Sequence, residues 1–289
     1  MARMNEARCW VELASGVVVA LMLAGCAGPG VPLESSSATA VETAPANAPV
    51  VQEFSLTIEA SYPHDAAAFT QGLEVLPDGV LLESTGLLGE STIRLVDLVS
   101  GEVLESRPLA ANEFGEGLTV VGDRVVQLTW QNGVAHTWSL PDLEPGPQYT
   151  YEGEGWGLCY DEAHDVLWRS DGTEVLTAHD PETFAVTGLT LSVTQDGEPV
   201  HDLNELECAP DGIWANIWYS TEIIRIDPDS GAVTGTLDAS ALLADAESAG
   251  PLERGAVLNG IARDPISGRW YLTGKLWPKL YEVTITPVG

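Results

Sequence analysis

Lysine is nearly absent from this chain: Lys275 and Lys279 are the only two in 289 residues. Basic charge is scarce altogether, with 12 Lys+Arg against 43 Asp+Glu and a net charge of −31. Such a field repels a phosphate backbone, which excludes nucleic acid as a partner and suits a surface kept soluble outside the cell. Histidine is sparse too. His64, His136, His164, His179 and His201 are scattered without metal-ligand spacing, so no metal site is expected. The chain also lacks a Gly-Lys-Ser/Thr phosphate loop, a Gly-x-Ser-x-Gly elbow and a Gly-x-Gly-x-x-Gly fingerprint. Finally, there is no long stretch of 3.6-residue periodicity, which argues against a helical body.

The amino terminus reads as a targeting segment. Arg3 and Arg8 precede the apolar run from Val17 to Leu23, which is too short for a comfortable permanent membrane span. The run ends in Leu23-Ala24-Gly25-Cys26, which resembles a bacterial lipobox; an ordinary signal peptide containing a Cys is the other reading. Residues 1–25 are expected to be a lipoprotein signal peptide, and residues 26–50, rich in Ala, Pro, Ser, Val and Thr, a flexible tether from lipidated Cys26. The protein is then an exported envelope protein that meets the membrane only through its lipid anchor. Removal of Cys9 with the signal and acylation of Cys26 leave Cys159 and Cys208, an even pair in an oxidising compartment.

From residue 51 the pattern is short β-rich runs between Gly, Asp, Pro and Asn turns. One unit recurs five times. Its first strand carries a Gly-Leu-like step: Gln71-Gly72-Leu73, Glu116-Gly117-Leu118, Trp156-Gly157-Leu158, Glu205-Leu206-Glu207 and Asn259-Gly260-Ile261. In this alignment Gln71, Glu116, Trp156, Glu205 and Asn259 are equivalent, and the spacings of 40 to 54 residues suit a four-stranded propeller blade. Cys159 and Cys208 then share one repeat position on neighbouring inner strands, which makes a disulfide geometrically plausible. The last unit stops after its third strand, Leu280–Thr284, and Glu53–Ile58 is left over at the front. Residues 51–289 are therefore expected to form an all-β, five-bladed β-propeller whose ring is closed by the N-terminal strand.

Inner strands of a propeller line the channel, so polar residues at the repeated position are candidates. Glu116, between glycines, is either a hydrated channel residue or a partly buried carboxyl with a raised pKa. Trp130, Trp218 and Lys275 follow Glu116, Glu205 and Asn259 by 14, 13 and 16 residues, so one mouth gathers them with Glu116 and Trp156. A tryptophan-walled pocket with one carboxyl and one lysine suits a small molecule. Trp138, Trp168, Trp214 and Trp270 are assigned to the core, and His64-Asp65 and His201-Asp202 to turns before inner strands.

The chain resembles the plant-type glutaminyl-peptide cyclotransferases, which also occur in bacteria. The resemblance rests on Tyr62-Pro63-His64-Asp65 with Phe69-Thr70-Gln71-Gly72-Leu73, Phe114-Gly115-Glu116-Gly117-Leu118 with Leu128-Thr129-Trp130, Glu154-Gly155-Trp156-Gly157-Leu158, Leu203-Asn204-Glu205-Leu206-Glu207 with Trp214–Trp218, and Leu258–Ala262 with Thr273-Gly274-Lys275. It implies conversion of N-terminal Gln of peptides and proteins to pyroglutamate with release of ammonia. It also implies catalytic Glu116, Lys275 and Asn204, and a substrate pocket of Trp130, Trp156, Trp218, Gln71 and Phe69. No cofactor is required for that chemistry, although a structural ion in the channel is compatible with it. Two other readings stay open: a non-catalytic propeller binding a peptide or envelope partner, and a lactonase-like hydrolase with Glu116, Glu205, Asn204 and Asn259 around a divalent ion.

Overall fold

The repeated corners are built from short side-chain clasps to backbone. Asp97 Oδ1 accepts from the backbone N–H of Ser100 at 2.7 Å and from its hydroxyl at 2.6 Å. Asp227 holds Ser230 the same way at 2.9 and 2.7 Å, and Asp180 holds Thr183 at 2.8 and 2.8 Å. Such Asx turns satisfy the corner's own donors and fix where the next strand starts. At Pro77-Asp78-Gly79, Gly79 takes φ +87°, a left-handed conformation that costs glycine nothing.

The computed structural model describes residues 50–248 and 250–289; the signal segment, Cys26 and nearly all of the tether lie outside them. The described chain is strands plus one short helix, and the strands join largely in chain order. Thr70–Val75, Val80–Thr85, Thr92–Asp97 and Val103–Pro108 form one sheet. Gly115–Val121, Arg124–Thr129 and Val134–Ser139 form another, edged by the short strands Glu144–Pro145 and Tyr149–Thr150. Leu158–Asp161, Val166–Arg169, Val175–His179 and Val186–Ser192 form a third. The remaining large sheet has eight strands. It runs from Leu203–Ala209 through Gly212–Ile217, Glu222–Ile226 and Val233–Asp238 to Gln52–Pro63, then through Lys279–Pro287 and Trp270–Gly274 to Leu258–Arg263. Gln52–Pro63 thus lies antiparallel to Lys279–Pro287 and, at its first residues, parallel to Val233–Asp238.

The first strands neighbour one another in a closed cycle. Thr70–Val75 lies beside Gly115–Val121, then come Leu158–Asp161, Leu203–Ala209 and Leu258–Arg263, and the last returns to Thr70–Val75. The fold is all-β and propeller-like. Close approach at the centre explains the recurring glycine. A Cβ on Gly117 would lie 2.6 Å from the Trp156 carbonyl oxygen, and one on Gly157 would collide with the Asn204 carbonyl. The residue after this step, Leu73, Leu118, Leu158, Leu206 or Ile261, is at most 2 % exposed and packs between sheets. Each such buried side chain contributes roughly 1.5–3 kcal/mol.

Strand pairing corrects the repeat alignment in the fourth unit. Leu73, Leu118, Leu158, Leu206 and Ile261 pair with Glu83, Gln127, Arg169, Ala215 and Leu272, so they are the equivalent set. Asn204, not Glu205, is therefore the partner of Gln71, Glu116, Trp156 and Asn259. Cys159 and Cys208 consequently sit one residue out of register, yet they are bonded, with Cα atoms 5.4 Å apart.

The long spacing before the fifth unit holds the helix Ser240–Glu247, which buries Leu242 and Ala246. Helical periodicity did not announce it because it has little more than two turns. Asp245 of this helix accepts from Lys279 at 2.7 Å and from the Tyr281 hydroxyl at 2.9 Å.

Candidate active site

The residues that begin the first strands come together at one end of the channel. Asn259 Nδ2 donates to the Thr70 carbonyl at 2.9 Å and to Gln71 Oε1 at 3.4 Å, and Gln71 Nε2 donates to Glu116 Oε1 at 3.2 Å. Three ring positions are thus joined hand to hand, and the chain ends on a carboxyl. Glu116 is 5 % exposed and has no ion-pair contact among the described residues. Burial pushes its pKa well above the ordinary carboxylate range; Lys275 opposes that shift and Glu154 adds to it.

Lys275 follows the strand Trp270–Gly274 and is 4 % exposed. Its ammonium stands 5.1 Å from the centre of the Phe69 ring. It has no hydrogen bond or salt bridge to a described side chain. Burial lowers its pKa to about 8, with Glu116 acting against the fall. Asn204 is 2 % exposed, and its side-chain amide likewise bonds no described residue. The site therefore holds a carboxyl, an ammonium and an amide whose hydrogen-bonding capacity is only partly used.

The tryptophans are placed by a repeated backbone bond. Trp130 N–H donates to the Phe114 carbonyl at 2.9 Å, Trp218 N–H to that of Asp202 at 2.8 Å, and Lys275 N–H to that of Val257 at 2.8 Å. Each acceptor is the residue just before a first strand, so the three side chains leave equivalent points around the mouth. Gly86 holds the matching point in the first sheet, and the Phe114 ring occupies the space its side chain would fill. Phe69, Phe114 and Trp130 form an aromatic file with centroid spacings of 5.9 and 5.8 Å. Trp156 meets Trp218 edge-on at 5.3 Å and lies across Gly172. Trp130 and Trp218 remain 37 % and 39 % exposed, large apolar faces left open at the mouth.

The structure thus assembles Glu116, Lys275, Gln71, Phe69, Trp130, Trp156 and Trp218 with Asn204 in the ring. It does not bring Glu205 with them. Glu205 turns to the backbone, accepting from the N–H of Ile261 at 2.8 Å and from that of Leu73, on two other first strands. It staples the channel. Among the described residues no three His, Cys, Asp or Glu side chains are grouped to hold a metal ion.

Two residues outside the catalytic and substrate-pocket set that the resemblance implies belong to the site. Asn259 heads the amide chain to Glu116. Glu154 accepts indole N–H bonds from Trp130 and Trp156. Its only signal in the sequence is its place two residues before Trp156, among 43 acidic residues. A separate cavity of about 710 Å³ opens at the other end of the first strands, lined by Glu74, Glu207 and Arg263 among others. Cys208 is the one candidate residue on its wall.

A family model described as Glutamine cyclotransferase matches residues 32–285. Glutaminyl-peptide cyclotransferase of Arabidopsis thaliana is 40% identical over 235 residues, 80% of this chain and 71% of the relative. The crystal structure of Myxococcus xanthus glutaminyl cyclase superposes with a TM-score of 0.77 at 44% identity, covering 83% of this chain and 100% of the other. This chain belongs to the glutamine cyclotransferase family.

Proposed function

We propose that this chain is a glutaminyl-peptide cyclotransferase, closing the N-terminal glutamine of peptides and proteins to pyroglutamate with release of ammonia. The observation that carries the reading is Glu116, a buried carboxyl that lacks an ion-pair partner among the described residues and faces Lys275 behind a tryptophan wall.

The α-amine of the substrate attacks the carbon of its own side-chain carboxamide. Nucleophile and electrophile lie in one residue, so folding the substrate into the pocket supplies much of the acceleration. Glu116 takes a proton from the attacking amine and returns one to the departing nitrogen, so the C–N bond to ammonia breaks as the lactam forms. Lys275 and Asn204 donate to the oxygen on which negative charge develops, which their unused donors leave them free to do. Gln71 orients Glu116, while Phe69, Trp130, Trp156 and Trp218 hold the glutamine side chain and exclude water. The chemistry calls for no metal or redox cofactor.

The architecture is read as five blades closed by the strand Gln52–Pro63. The cycle of first strands and the pairing of this strand with Lys279–Pro287 support that reading. Residues 51–289 are the catalytic unit. Leu23-Ala24-Gly25-Cys26 supports export and lipidation of Cys26, with a tether between lipid and enzyme.

An ammonia-release assay with a Gln-initiated peptide, with and without a chelator, tests the reading. Release that survives the chelator is expected. No release from that peptide refutes the cyclotransferase assignment.

A further inference from the structure

Glu154 lies outside the strand repeat, on the segment between Tyr149–Thr150 and Leu158–Asp161. Its place is fixed by the residue that follows. Gly155 N–H donates to the Trp130 carbonyl at 3.0 Å, and a Cβ at Gly155 would collide with the Tyr151 hydroxyl. This docking carries the Glu154 side chain across from one sheet to the next. Its Oε2 accepts both the Trp130 Nε1–H at 2.7 Å and the Trp156 Nε1–H at 2.9 Å. Its Oε1 accepts from Gln131 Nε2 at 2.7 Å. Burial works to raise its pKa, but these three bonds together outweigh it and hold the carboxyl below the ordinary range, so it is ionised at neutral pH and the bonds are charge-assisted.

The two indoles are otherwise held unequally. Trp156 is trapped between Gly172 and Trp218. Trp130 is more than a third exposed and touches Phe114 along one edge, at a centroid distance of 5.8 Å. Glu154 is the one hydrogen-bond partner of the Trp130 indole among the described residues, so it selects among the positions that exposed ring could take.

We infer that Glu154 is a positioning residue for the cyclotransferase reaction: one carboxylate clasps the indoles of Trp130 and Trp156, from neighbouring sheets, and sets the wall that grips the substrate glutamine. The inference rests on the reaction assigned above. Glu154 acts through the two rings.

The test compares wild type, Glu154→Ala, Glu154→Gln and Trp130→Phe by ammonia release from a Gln-initiated peptide and by tryptophan emission. Losing the clasp raises KM about tenfold in Glu154→Ala, with kcat reduced less than about threefold, and alters the emission. Glu154→Gln keeps one oxygen able to accept both indole N–H groups while a turned Gln131 amide meets its nitrogen. It is expected to recover KM to within about twofold of wild type, together with wild-type emission. Trp130→Phe deletes one bond from the other side and raises KM about threefold even if Glu154→Ala fails to fold. Wild-type KM in the variants that remove a bond overturns the inference, and so does a Gln variant no better than the Ala variant. If the wild type itself releases no ammonia, the reaction assignment falls. Emission then judges the clasp: a shift in Glu154→Ala that Glu154→Gln restores sustains it, and unchanged emission removes it.

Discussion

Two carboxyls, Glu83 and Glu116, are both buried, and their environments drive them in opposite directions. Glu83 sits in a knot of charge: His64 Nε2 at 3.0 Å, Arg94 Nε at 2.8 Å and the Thr70 hydroxyl at 2.7 Å. Arg94 continues to Asp65 at 2.8 Å, and His64 Nδ1 bonds the Trp277 carbonyl at 2.6 Å. Burial alone would raise the Glu83 pKa, but His64 and Arg94 overcome it and hold the group at about 2. Glu116 has one amide donor and a lysine too distant for an ion pair, so burial wins and its pKa rises. A saturated carboxylate ties elements together. An unsaturated one holds its proton to higher pH than an exposed glutamate and is free to exchange it with a substrate.

The comparison predicts opposite outcomes for matched substitutions. Glu116→Gln should lower kcat about 10³-fold, the range expected for losing a general acid/base. Its stability should not suffer. A carboxyl whose pKa is raised on folding stabilises below its unfolded value and loses that contribution as pH rises through the folded value. At pH 8 the Gln variant should therefore melt at or above wild type. Glu83→Ala should do the reverse, costing about 3–5 kcal/mol by stranding His64 and Arg94 without their partner, with kcat per folded molecule near wild type. Urea unfolding followed alongside turnover separates the two. If Glu83→Ala left stability intact, or Glu116→Gln unfolded the protein, the division between tie and tool would fail.

Lys275→Met should lower kcat about 10²-fold by removing an oxyanion donor. In wild type, kcat should fall on the alkaline side as Lys275 loses its proton near pH 8, and on the acid side as Glu116 gains one. The Met variant should lack the alkaline limb; its persistence there would assign the limb to another group. The smallest effect concerns acid stability. Because the Glu83 pKa is depressed on folding, its contribution is present above the unfolded value near 4.5 and is lost as pH falls toward about 2. Glu83→Gln should flatten that part of the stability profile.

The sequence announced the repeat because its packing demands small, local signals: glycine where backbones touch, leucine or isoleucine between sheets, and Asx turns at the corners. It misled at Leu203–Glu207, where no glycine marks the step and the alternation of Leu with polar residues permits either register. The bulge between Leu203 and Leu206 decides it, and bulges leave little trace in sequence. Asn204 then takes the ring position and Glu205 becomes a staple. Glu116, Lys275 and the three tryptophans were legible at their motif positions. The His64–Glu83–Arg94 knot was not. His64-Asp65 read as a turn, and Asp65 does accept from Ala67 N–H at 2.9 Å, but His64 reaches a carboxyl 19 residues on. Glu154 was equally hidden, because its partners lie on separate strands and nothing local marks a carboxylate shared by two indoles.

The most direct test is to follow the protonation of the two carboxyls in the folded protein, by side-chain carboxyl NMR with Glu116→Gln and Glu83→Gln used to assign the signals. Glu83 should stay ionised down to about pH 2 while Glu116 takes up its proton well above the ordinary carboxylate range. A Glu116 that titrates like an exposed glutamate would contradict the account, because burial without an ion-pair partner must raise its pKa.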